Sequence, residues 1–204
     1  LQRRGGGDFI KRGTTGRERF ERACMVASAG NVAPIGAPAQ AFTFGGVKDI
    51  VDEGLKPIIM GDVYEAARKA SNILYLTDNA GEIGFDSLLV AELKEMGARV
   101  TLLVKEASYF EDATIDDASF FGLDKLADEI LITKGAFVPS ESNPPFNASF
   151  LRSDIVMSKG SLNYAALKGE TEGEATVYML GVKCRVIAAT LGADIGQFVV
   201  ALEE

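Results

Sequence analysis

The stretch NILYLTDNAGEIGFDSLLVAELKEMGARVTLLVK (72–105) decides the fold. Its first segment, NILYLTD (72–78), is a near-continuous apolar run and reads as a buried strand. A short polar turn follows, and residues 82–96 read as an amphipathic helix. RVTLLVK (99–105) is a second buried strand. Working outward, 113–127 is largely helical, EILITKG (129–135) and SDIVMSKG (153–160) are strands separated by a long loop rich in Pro, Ser and Asn, and NYAALKG (163–169) is a short helix. ATVYMLGV (175–182) is a strand, CRVIAATLG (184–192) a helix and QFVVAL (197–202) a last strand. Apolar strands alternating with helices predict a mostly parallel sheet covered on both faces.

Upstream the pattern changes. Residues 1–16 carry five glycines without periodicity and are expected to be poorly ordered. RERFERACMVASAG (17–30) has Phe20, Cys24 and Ala27 at helical spacing. NVAPIGAPAQ (31–40) interrupts it with two prolines, GGVKDIVDEGL (45–55) reads as a short helix, and GDVYEAARKAS (61–71) as another with Asp62 as its N-cap. The expected architecture is a three-layer α/β sandwich with a Rossmann-like sheet. Its expected division is an N-terminal helical segment with a flexible start over 1–40 and an α/β domain over 41–204.

Composition narrows the chemistry. The 204 residues hold 21 Lys and Arg against 29 Asp and Glu, a net charge of −8, which argues against a nucleic-acid-binding face. No apolar run approaches the ~20 residues that span a bilayer, and the basic start lacks the apolar stretch of a secretory signal. A cytoplasmic protein without a membrane partner is expected. Cys24 and Cys184 match no zinc spacing. There is no histidine, so a histidine base, a His-based triad and a His-ligated zinc site are excluded. A metal here would be held by oxygen, as suits Mg, Mn or a similarly hard divalent ion.

In an open α/β sheet, ligands sit beyond the carboxyl ends of the strands. Those ends carry Asp78-Asn79-Ala80-Gly81-Glu82, then Asp112 before Thr114, then Lys159 and Asn163, and finally Lys183. Asp78 and Asp112 supply anionic oxygens and Asn79 an amide oxygen, a set that suits Mg²⁺ or Mn²⁺ with water and substrate phosphate. Gly81 would allow a tight turn and close approach to a ligand. Lys159 and Lys183 would neutralise a phosphoryl group. Each residue also has a plainer reading. Asp78 and Asp112 could be helix caps, Lys159 and Lys183 turn or strand-end lysines, Glu82 a first-turn acid that complements the helix dipole, and Asp86 part of a solvated helix face.

Together these motifs resemble the damage-control phosphatase family, metal-dependent phosphatases once linked to acidic-residue methylation. The likeness runs through SAGNVAPIG (28–36), YLTDNAGEIGFD (75–86), EDATIDD (111–117), SDIVMSKGSLNY (153–164) and GVKCRVIA (181–188). Glu82 and Asp86 fit the archaeal and pantothenate-kinase-linked branch. The resemblance implies an α/β sandwich with helices packed at one side. It implies a divalent metal (Mn, Mg, Co or Ni) on Asp78, Asn79 and Asp112, with Lys159, Asn163 and Lys183 as phosphate or substrate contacts. Asn31 corresponds to an asparagine near the same pocket. The chain departs from the family pattern at Pro34, where many relatives have an aspartate, and in its short N-terminal region.

The expected function is hydrolysis of small phosphomonoesters, such as phosphopantetheine derivatives or sugar phosphates, with Asp78 and Glu82 as the catalytic residues, Asp78 a metal ligand first and Glu82 ordering a water or the substrate. Two rival readings are an S-adenosylmethionine-dependent carboxyl methyltransferase and a non-catalytic metabolite-binding domain. No G-x-G-x-x-G follows the first strand to support the former. Pro34 and the short N-terminal region motivate the latter.

Overall fold

Seven strands form one sheet in the computed structural model, which describes residues 2–31, 58–135, 137–138, 144–169 and 175–203. They are β1 (Ile58–Met60), β2 (Asn72–Leu76), β3 (Arg99–Lys105), β4 (Glu129–Thr133), β5 (Ile155–Lys159), β6 (Ala175–Gly181) and β7 (Phe198–Glu203). The described helices are α1 (Gln2–Lys11), α2 (Gly16–Ala29), α3 (Val63–Lys69), α4 (Ile83–Glu95), α5 (Ile115–Phe120), α6 (Pro144–Arg152), α7 (Gly160–Leu167) and α8 (Arg185–Leu191). Pro34 and the helix expected over 45–55 lie outside the described residues.

The spatial order is β1-β7-β6-β5-β2-β3-β4. β2 through β6 are mutually parallel, while β7 runs antiparallel to β6 and pairs in parallel with β1. The mostly parallel sheet read from the alternating pattern is therefore present. The chain leaves β2 outward through β3 and β4, then returns to the other flank of β2 as β5 and continues to β6. This makes the β2–β5 seam the topological switch point, the place where open α/β sheets bind ligands at their carboxyl ends. Asp78 follows β2, and Lys159 ends β5.

Side-chain alternation assigns the two faces. Ile73, Tyr75, Val100, Leu102, Met157 and Met179 pack with Phe20, Cys24, Ile83, Leu89 and Leu93 in one core. Leu74, Leu76, Leu103, Val156 and Leu180 face the other, with Phe146, Phe150 and Tyr164. α2 is anchored to the sheet by Ser28, whose hydroxyl donates to the Val199 carbonyl at 2.9 Å.

Three elements differ from the sequence expectation. The glycine-rich start is helical over Gln2–Lys11. Glycine disfavours helix by about 1 kcal/mol per position, but Ile10 is buried in the first core and Phe9 packs beside Val26, Ala29 and Phe85. The Pro/Ser/Asn loop contains α6, whose Phe146 and Phe150 stand four apart on one buried face. Its two prolines occupy the first turn, where amide hydrogens have no helical partner. β1 is only three residues long, too short to show a period.

Gly84 decides how closely α4 approaches the segment after α5. A Cβ there would lie 2.6 Å from the Phe121 ring. Gly→Ala in a helix ordinarily stabilises by about 1 kcal/mol, whereas overpacking costs about 1–3 kcal/mol. We therefore expect Gly84→Ala to lower the urea midpoint, and Phe121→Leu in the same chain to restore part of the loss.

Candidate active site

The turn after β2 is fixed by backbone pairing to the segment before α5. The Ala113 amide donates to the Asp78 carbonyl at 2.8 Å, the Ala80 amide to the Glu111 carbonyl at 2.7 Å, and Asn79 and Asp112 form an isolated antiparallel bridge. Asp78, Asn79 and Asp112 are thus brought together from two loops. Asp112 does not cap α5. That place is taken by Thr114, whose amide and hydroxyl both donate to the Asp117 carboxylate. Asp78 caps no part of α4 either, since Glu82 occupies the N-cap position without a side-chain capping bond.

Asp78 sits instead against the start of α7. Gly160 begins that helix at φ +83, and a Cβ there would collide with the Asp78 carboxylate. The close approach expected at Gly81 is found here. Gly81 itself is exposed, with open space around it. Asn163 braces the same corner by donating to the carbonyls of Thr77 and Lys159 at 2.9 and 2.7 Å.

Behind Asp78 lies a buried polar chain. The Asn31 amide donates to Asp78 Oδ2 at 2.8 Å and to Glu82 Oε2 at 3.0 Å, while its oxygen accepts from the Gly181 amide. Lys159 Nζ lies 3.3 Å from Glu82 Oε1 and donates to Asp86 Oδ1 at 2.6 Å. Tyr75 donates its hydroxyl to the same Asp86 oxygen at 2.9 Å. Glu82, Asp86 and Lys159 are 2%, 0% and 0% exposed. Asp86, expected on a solvated face, is wholly inside. It stands four residues after Glu82, on the same side of α4, and that spacing was the available signal. Lys159, expected to face a phosphoryl group, has its ammonium engaged by two carboxylates.

Two further lysines stand near the rim. Lys183 is exposed and close enough to Asp78 to favour its ionised form. Lys105, at the end of β3, was missed by the sequence reading, although it closes an apolar strand just as Lys159 does. It is buried, donates to the Gly135 carbonyl and lies 3.7 Å from the Phe137 ring centroid. Burial lowers its pKa, against the opposing pull of Asp112 and Asp78.

Glu82 and Asp86 share the fully buried Lys159 ammonium, whose charge also reaches Asp78. Burial, then the Glu82 charge, pushes Asp78 up to about 7, and the Asn31 hydrogen bond only partly offsets this. Burial lifts Asp86 to about 6 despite the contact with Lys159. Burial alone would lower the Lys159 pKa, but Asp86 and Glu82 more than reverse that. Among the described residues no three His, Cys, Asp or Glu side chains converge as a ready metal cluster. The donor set instead consists of two carboxylates and an amide. Asn79 Nδ2 donates to Asp78 Oδ2 at 3.0 Å, which leaves the Asn79 oxygen as an acceptor. Oxygen donors from two adjacent loops, backed by a buried acidic chain, fit a hard divalent cation.

These features define a doubly wound α/β protein with an acid-rich crevice at its switch point. The chain belongs to the damage-control phosphatase ARMT1-like domain family, whose model matches residues 8–199. It is 32% identical over 193 residues to a damage-control phosphatase of Archaeoglobus fulgidus, covering 91% of this chain and 66% of that protein. A damage-control phosphatase of Pyrococcus horikoshii is 31% identical over 199 residues, covering 94% of this chain and 67% of the relative. The crystal structure of a DUF89 family protein from Pyrococcus horikoshii superposes with a TM-score of 0.79 at 28% identity, covering all of this chain and 72% of that one. The chain thus spans about two thirds of the length of these curated relatives.

Two outcomes follow from the charge arrangement. Lys159→Met strands buried carboxylates and should destabilise by about 3–5 kcal/mol in urea unfolding, with Asp86→Asn in the same chain recovering part of it. A carboxyl whose pKa is raised by folding binds its proton more tightly folded than unfolded. Its contribution is therefore full below its unfolded pKa and is lost as pH rises through its folded value. The chelated protein should lose Tm between pH 5 and pH 8 on this account, and Asp78→Asn should flatten the slope.

Proposed function

We propose that this chain is the catalytic part of a divalent-metal-dependent phosphatase that hydrolyses small phosphorylated metabolites. The observation that carries this reading is the buried polar chain at the strand ends, in which Asn31 joins Asp78 to Glu82 and Lys159 joins Glu82 to Asp86, beside two loops of oxygen donors. Family membership and the names of the relatives point the same way. The reaction joins a water oxygen to phosphorus and breaks the bond to the metabolite oxygen, which leaves with a proton.

Asp78, Asn79 and Asp112 would hold the cation, and a divalent ion there supplies charge that polarises the phosphoryl oxygens. Asn31 keeps Asp78 and Glu82 in register, so that Glu82 can accept a proton at the crevice floor. Lys159 holds Glu82 from beneath, and Asn163 fixes the Lys159 backbone. Lys183 and Lys105 offer positive charge on either flank of Asp78, where an incoming phosphate dianion is attracted.

The test is phosphate release from a phosphomonoester panel with Mg, Mn, Co or Ni beside a metal-free control. Asp78→Asn should abolish both turnover and Mn²⁺ binding by calorimetry, and unchanged Mn²⁺ affinity would overturn the ligand assignment. Glu82→Gln should slow turnover about tenfold or more at saturating metal, a barrier of at least ~1.4 kcal/mol. An unchanged rate would make Glu82 a purely structural group.

A further inference from the structure

The turn that carries Asp112 also carries two aromatic side chains in solvent. Tyr109 and Phe110 are 74% and 88% exposed, with rings edge-to-face at 4.8 Å and 80°. Phe110 sits at φ +60, the single positive φ outside glycine among the described residues. A bulky side chain is disfavoured there, and glycine or asparagine would fill such a position without strain. Hydrogen bonds hold the turn in place. The Ser108 hydroxyl donates to the Phe110 carbonyl at 3.0 Å, and the Asp112 amide to the Tyr109 carbonyl at 3.4 Å. Neither ring belongs to a core cluster.

A strained, exposed aromatic turn that adds nothing to the core suggests a role outside folding. Its position indicates which. Glu111 is docked on Ala80, and Asp112 is bridged to Asn79, so both rings stand at a fixed offset from the oxygen donors at the rim. We propose that Tyr109 and Phe110 form a stacking wall for the leaving group, and that the favoured substrates are phosphomonoesters whose alcohol carries an aromatic or heteroaromatic ring. The inference rests on the phosphatase reading and narrows it. Rings as exposed as these leave π-faces free, which suit a planar ring better than an aliphatic polyol. A protein partner is the less favoured occupant, because the turn that carries the two rings also carries Asp112, bridged to Asn79.

Benzyl phosphate and propyl phosphate have similar leaving oxygens and differ in the ring. With Mn²⁺ present, the kcat/KM ratio of benzyl to propyl phosphate should fall about tenfold in Phe110→Gly, and also fall in Tyr109→Ala. Phe110→Gly should melt at or above the parent, because glycine accepts the positive φ. A loss of preference then cannot be a loss of fold. The non-hydrolysable pair benzylphosphonate and propylphosphonate, followed by calorimetry, separates this inference from the phosphatase reading. Tighter binding of benzylphosphonate that depends on Phe110 supports the stacking wall even without turnover, and in that case only the phosphatase reading fails. Turnover or binding with a ring preference unaltered in Phe110→Gly overturns the stacking wall alone. A change of oligomeric state in that variant, with the preference intact, assigns the rings to a protein contact and likewise overturns it. Absence of both binding and turnover overturns both readings.

Discussion

One ammonium group holds the crevice together. Lys159 Nζ ends the central strand at full burial and touches both Asp86 and Glu82. Removing a charge from water costs several kcal/mol, so such a group persists only where partners surround it. Here the partners come from α4, while the lysine comes from β5, and their meeting fixes the helix against the strand. Asn31, from the end of α2, then closes the chain onto Asp78. The same contact thus orders two helices, the β2–β5 seam and the turn that carries the candidate ligands.

The crevice also depends on what glycine omits. At Gly160 the missing side chain is the space that the Asp78 carboxylate occupies. At Gly30 an added Cβ would lie 2.9 Å from the Phe85 ring and 3.3 Å from the Glu82 Cβ, and at Gly181 one would lie 2.8 Å from the Asn31 carbonyl. Three glycines from three elements therefore let α2, α4, β6 and α7 close around one polar chain. Close packing transmits small displacements, so the positions of these acids are set by backbone contacts at their rear.

The strands and the strand-end acids were legible because burial on both faces writes a long apolar run, and a polar residue ending such a run stands out. Asp78, Asn79 and Asp112 could be placed on one rim from that alone. What lay behind them could not. Asp86 looks like any helix-surface acid until Lys159 is known to project beneath it, and that contact spans 73 positions in the chain. Gly81, adjacent to the acids in sequence, drew the role that Gly160 holds in space. Lys105 went unremarked because its partners, the Gly135 carbonyl and the Phe137 ring, lie beyond the next strand. α6 was hidden by its prolines, which break helices in the interior but not in the first turn.

The absence of histidine has a consequence for how the crevice can be watched. Imidazole is the side chain that ordinarily dominates proton exchange near neutrality, and this chain has none. Proton uptake and release by its side chains between pH 5 and pH 8 therefore falls largely to carboxyls lifted by burial, with Asp78 at about 7 and Asp86 at about 6. Binding of a cation to Asp78 near neutral pH would expel a proton into buffer. Measured in two buffers of different ionisation heat, that proton becomes a signal with little imidazole background, and the site can be counted without a chromophore or a label.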